Sequence, residues 1–77
     1  MKKFDVTVTI EIGENDLTLD EIDDLLFEGG FDDALISHFD TRQIQIELRR
    51  AAPSKGFLID AVLRQVNVIF PNSKQLN

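Results

Sequence analysis

Residues 17–39, LTLDEIDDLLFEGGFDDALISHF, decide the fold. Thr18 stands three residues before Glu21, the spacing of a capping box. The hydroxyl can accept from the backbone N–H at Glu21 while the glutamate returns a bond to the N–H of Thr18. Leu17 and Ile22 occupy the flanking staple positions, and Asp20 and Glu21 fall in the first turn, where the helix dipole favours carboxylates. Gly29 and Gly30 supply the backbone freedom of a helix stop. A helix over 19–28 is therefore expected. At about 100° per residue it turns Leu19, Ile22, Leu25 and Leu26 to the core and Asp20, Asp23, Asp24 and Glu28 mostly away from it. Phe27 falls among the acids, three and four residues from Asp24 and Asp23. It reads either as a boundary aromatic folded over the sheet edge or as a partner anchor ringed by carboxylates.

Outward from this stretch the periodicity changes from helix to strand. Residues 3–12, KFDVTVTIEI, alternate strictly, with Phe4, Val6, Val8, Ile10 and Ile12 on one face and Asp5, Thr7, Thr9 and Glu11 on the other. That is a half-buried strand built from β-branched residues. Residues 31–33 form a short link, 34–39 a second strand and 40–42 a hairpin turn. Residues 43–50 alternate again, with Ile44, Ile46 and Leu48 inward and Gln43, Gln45, Glu47 and Arg49 outward. Residues 51–56 read as a loop, and Ser54 caps a second helix over 57–70. Leu58, Ala61, Val62, Val66 and Ile69 form its apolar stripe, and Pro71 breaks it. Residues 73–77 are compatible with a final edge strand.

The order β-α-β-β-α, with or without that last β, places one-sided strands under two amphipathic helices. Such strands call for helices on one face and solvent on the other. The expected fold is α+β: a two-layer ferredoxin-like sandwich, an antiparallel sheet with two helices on one face, as a single domain over residues 1–77.

Seventy-seven residues leave no room for a deep cleft between lobes. With no cysteine the chain has no disulfide framework, thiol nucleophile or thiolate metal site. Neither a signal peptide nor a membrane-spanning stretch is legible, so a cytoplasmic location is expected. The formal charge is −6, and its placement is lopsided. Residues 4–41 hold twelve Asp and Glu and no Lys or Arg, whereas residues 42–77 hold six Lys and Arg against Glu47 and Asp60. A field of one sign steers association with a partner of the other.

Several chemistries fail on spacing. A calcium loop ending at Glu21 or Glu28 would begin at Ile10 or Leu17, and neither side chain can ligate. Ser37 and His38 are strand neighbours on opposite faces and cannot share a proton with Asp40 in a triad; His38 reads as a surface or edge side chain. Asp32 and Asp33 form a solvated pair with no cleft to serve. An RNA platform needs aromatics on the open sheet face. That face offers Thr7, Thr9, Gln43, Gln45 and Glu47, and the charge repels phosphate, so direct nucleic-acid binding is not expected. No catalytic residue, cofactor or metal site is expected, and no enzyme.

The segments FDVTVTIEI, LLFEGGFDDALIS, IQIELRRAAPS and AVLRQVNVIFPNSK resemble the N-terminal domain of small bacterial helix-turn-helix DNA-binding proteins. The matching pieces are Phe27-Glu28-Gly29-Gly30, Asp32-Asp33-Ala34 and Arg50-Ala51-Ala52-Pro53-Ser54, with Gly29 where the pattern usually has alanine. The resemblance covers nearly the whole chain through short motifs, and the helix-turn-helix that follows in those proteins is not in this sequence. It implies a compact module that pairs with another protein or with itself, and it brings no catalytic or ligand residue. In size and charge the chain is also similar to small phage-encoded inhibitors, including anti-CRISPR proteins.

The leading expectation is an acidic protein-binding module whose face Asp20, Asp23, Asp24, Phe27, Glu28, Asp32 and Asp33 docks on a basic surface. The expected partner is a nucleic-acid-handling protein, inhibited by mimicry of nucleic acid in its phosphate-binding groove, with no contact to membrane or to nucleic acid itself. The alternative is a dimerisation or sensing domain of a bacterial transcription regulator or antitoxin-like protein, acting as a homodimer.

Overall fold

The computed structural model describes residues 1–76. The elements are β1 (Lys2–Glu11), α1 (Leu19–Leu26), one π-helical turn (Phe27–Phe31), β2 (Leu35–His38), β3 (Gln43–Ala52), α2 (Lys55–Ile69) and β4 (Lys74–Gln75). They form an α+β fold with a four-stranded antiparallel sheet in the order β2-β3-β1-β4. The central pair is long and unbroken: β1 and β3 run in register from Lys2 opposite Ala52 to Glu11 opposite Gln43. Strict alternation in both strands fixes this register, because a one-residue slip would turn every apolar side chain to water.

One face of that pair carries the core. Val6, Val8, Ile10 and Ile12 of the first strand and its exit, with Ile44, Ile46, Leu48 and Ala52 of β3, are buried against Ile22 and Leu26 of α1 and Leu58, Val62 and Val66 of α2. Phe31 and Phe70 close the two ends. Every buried side chain in this cluster is apolar, so the layer is held by burial rather than by interior hydrogen bonds.

The capping box forms as expected. Glu21 N–H donates to Thr18 Oγ1 at 3.2 Å, and Thr18 N–H donates to Glu21 Oε1 at 3.0 Å. Ser54 likewise accepts from the N–H of Phe57 at 3.1 Å, but α2 starts two residues earlier than the pattern suggests, at Lys55. β3 runs on to Ala52, two residues into the expected loop. At the hairpin, Asp40 Oδ1 accepts from the N–H groups of Arg42 and Gln43 at 2.7 and 2.8 Å.

Around α1 the structure corrects the expectation in two respects. The α-helix ends at Leu26, within two residues of the expected end, but widens into a π-turn that carries the winding on to Phe31. Gly30 then stops it at φ +104°, a conformation glycine adopts without steric penalty. Leu19 and Leu25 are also 42% and 39% exposed rather than core. Two turns of helix bury only a narrow stripe, which Ile22 and Leu26 fill. The core residue gained instead is Phe31, read from sequence as part of a polar link but only 2% exposed.

Two substitutions test these local devices. Gly30→Ala should lower stability by about 1–3 kcal/mol, because the left-handed backbone is strained for any side chain and the added methyl would meet Gln65. Thr18→Ala should lower it by about 1 kcal/mol through loss of the cap. Urea unfolding followed by far-ultraviolet circular dichroism measures both.

Candidate functional site

The seven acidic-face residues lie along α1, the π-turn and the link into β2, and they divide by what holds them. Asp20, Asp24, Phe27 and Glu28 follow the i, i+4, i+7, i+8 spacing of one helix face, and all four are exposed. Phe27 is 64% exposed. Asp20, Asp24 and Glu28 form no ion pair among the described residues. Asp32 is exposed beyond the turn, close enough to Arg50 to favour the guanidinium charge.

The other two acids are engaged. Asp23 Oδ1 lies 2.7 Å from Nε2 of His38, which ties α1 to β2. The carboxylate accepts, so Nε2 carries the proton; Nδ1 is buried without a hydrogen-bond partner. His38 is thus on the edge strand, one of the two positions expected for it, but with its side chain only 13% exposed and tied to α1. Ser37 and His38 do point to opposite faces.

Asp33 belongs to a larger knot centred on Arg50. The guanidinium donates from Nε to Asp33 Oδ2 and from Nη2 to Asp33 Oδ1, both at 2.8 Å. It also donates from Nη2 to the carbonyl of Gly30 at 2.9 Å and from Nη1 to Gln65 Oε1 at 3.0 Å. Its carbon lies 5.3 Å from the centre of the Phe31 ring, within cation–π range. Gln65 Nε2 in turn donates to the carbonyl of Gly29 at 2.8 Å. Both glycine carbonyls released by the widened helix are therefore taken up, one by β3 and one by α2. In the sequence Arg50 stands only as one of the six Lys and Arg of residues 42–77. The signal it lacked is long-range, since Arg50 meets partners 15 to 20 residues away in sequence.

Arg50 holds the Asp33 carboxyl below the usual aspartate range, chiefly by hydrogen bonding, which outweighs the opposing effect of burial, with the arginine charge adding to the lowering. The arginine is correspondingly raised, first by its bond to Asp33.

Most other bases of the second half are also occupied. Arg42 Nη2 donates to Glu11 at 2.8 Å and its other nitrogen lies 3.9 Å from Glu14; Lys74 lies 3.9 Å from Glu11, and Arg49 3.9 Å from Asp5. These pairs sit at the sheet ends and open face, away from α1. The outward side of α1 consequently remains a field of carboxylates around an aromatic ring.

Among the described residues no helix is long and apolar enough to cross a membrane, and no three His, Asp or Glu side chains are grouped to hold a metal ion. No protein-family model, curated protein or solved structure matches the chain.

The Asp33–Arg50 bond sets a pH dependence. The folded-state pKa of Asp33 is depressed, so its stabilising contribution is complete above the unfolded carboxylate value and disappears as pH falls through the lower folded value. Thermal unfolding between neutral pH and strong acid should show stability falling across that acid window. Asp33→Asn should start less stable at neutral pH and show a shallower acid limb.

Proposed function

We propose that this chain is a non-enzymatic binding module whose α1 face docks on a basic protein surface. The observation that carries this reading is the unpaired set Asp20, Asp24 and Glu28, extended by Asp32, around the exposed ring of Phe27. Carboxylates spaced a helical turn apart on a rigid two-layer scaffold offer negative charge at intervals that a cationic groove can match. Their joint field would raise the association rate. Phe27 would supply the desolvated apolar contact that charge alone does not.

The partner class this chemistry fits is a protein that grips nucleic acid through Lys and Arg, with the acidic helix taking the place of the phosphate backbone. Occupying that groove would inhibit the partner, in the manner of anti-CRISPR proteins. The reading uses Asp23 and Asp33 less than their neighbours, because His38 and Arg50 already engage them. It also takes the architecture as ferredoxin-like. The position of β3 between β1 and β2 supports that class, while β4, at two residues, is shorter than a full fourth strand.

The test uses the immobilised chain to capture cationic proteins from bacterial lysate, then asks whether free chain displaces a labelled DNA or RNA oligonucleotide from the captured protein. Displacement is expected, with affinity falling about tenfold or more from low to high ionic strength. Asp20→Lys with Asp24→Lys should abolish displacement while the circular dichroism spectrum and unfolding midpoint stay near those of the parent. A double variant that competed as well as the parent would remove this face as the site.

A further inference from the structure

The β2 edge of the sheet is bare, and its surroundings are apolar. β2 pairs only with β3. The N–H of Phe39 donates to Gln43 O at 3.0 Å. By the alternation of an antiparallel ladder, Leu35, Ser37 and Phe39 therefore turn their backbone groups toward β3, and Ile36 and His38 turn theirs outward. On the open face of the sheet this edge is flanked by Leu35 and Phe39, 65% and 59% exposed. On the helical face it is flanked by Leu19 and Phe27, each one turn from Asp23, whose carboxylate touches His38 of β2. Residues 35–39, LISHF, contain none of the lysines or prolines that commonly protect an edge strand. On the opposite side of the sheet β4 covers part of β1, and Lys3 and Asp5 lie on the uncovered part.

We propose that two copies of this chain pair through β2, antiparallel about a two-fold axis at Ser37, to form one continuous eight-stranded sheet. The sequence of the edge is self-complementary in this register. Ile36 faces His38 of the second copy, so all four outward backbone groups of each strand meet partners. Leu35 faces Phe39 across the open side, and Ser37 faces itself. Because the π-turn joins the end of α1 to the start of β2, Phe27 lies at the Leu35 end and Leu19 at the Phe39 end. The same axis therefore brings Phe27 of one helix toward Leu19 of the other. Slipping the pairing by one residue would oppose side chains of different faces.

The area is adequate for a reversible dimer. Taking about 200 Å² for a full side chain of this size, the four flanking residues of both copies expose roughly 900 Å², in the range of weak, reversible interfaces. Asp20, Asp24 and Glu28 stay on the outward side of α1, and Phe27 is the one residue shared with the face proposed above, so the pairing is tested at β2, where that face is untouched.

The chain has no cysteine, which makes a crosslink decisive. Ser37 would form a close, non-hydrogen-bonded pair with its own copy, a separation that suits a disulfide. Ser37→Cys at about 50 µM under oxidised glutathione should give a covalent dimer at least about tenfold faster than Thr7→Cys, which lies on the same sheet face but two strands away. Leu35→Lys and Phe39→Glu should each weaken sedimentation dimers of the otherwise unaltered chain, and the double variant should restore them across the axis. Equal crosslinking rates for the two cysteine variants would overturn the proposal. A parent chain that remains monomeric at about 500 µM, or that grows into open-ended oligomers, would do the same.

Discussion

The guanidinium of Arg50 is where the sheet, α2 and the turn between α1 and β2 are joined. Four of its five N–H groups are committed, to a carboxylate, a backbone carbonyl and a side-chain amide, and Phe31 lies under its plane. Among the described residues no other side chain is seen to bond to so many separate elements. A lysine could supply the charge but not the planar fork that satisfies Asp33 and Gly30 together. The turn has unusual backbone geometry, so it leaves carbonyls unsatisfied, and the fold settles them with side chains from distant elements.

That knot also defines where acidity is available. Residues 4–41 contain nearly all the acid of the chain, yet the structure spends it unevenly. Glu11 collects Arg42 and Lys74, Asp33 collects Arg50, and Asp23 is tied to His38 by a hydrogen bond. Ion pairs near the surface contribute little to stability, but each arginine or lysine offsets negative charge in the field that a partner would sense. What is left lies on the solvent side of α1. The helix therefore has two distinct sides: a narrow apolar stripe that fastens it to the sheet, and a charged arc that nothing in the described chain answers.

Local signals carried through faithfully, and those requiring contacts between distant residues did not. Thr18 with Glu21 and the two alternating strands are short-range patterns whose physics is complete within a few residues, and both formed. Leu19 and Leu25 obey helical periodicity as well as Ile22 and Leu26 do, but α1 has only eight residues and meets a small part of the sheet, so the outer leucines remain half in water. Phe31 is the converse: flanked by Gly30 and Asp32, it has no periodic context, and only the widened turn drives it inward. The acids of the candidate face were legible as a composition bias. Which of them would be free was not, because that depends on the register that carries Arg50 to Asp33.

The short reach of β4 has a further consequence for β1. That strand is central by position, but β4 covers only its last residues, opposite Lys74 and Gln75 and at the carbonyl of Thr9. Beside Asp5, Val6 and Thr7 a groove of about 460 Å³ remains, walled by Lys55, Ile59 and Gln75. Alternate amides along one strand thus meet different fates in deuterated water. Those of Val6 and Val8 are locked against β3 and exchange only when the domain opens, whereas those of Asp5 and Thr7 face the groove and exchange early. A strand at the centre of the sheet thus lies, on one flank, beside open solvent at Asp5 and Thr7.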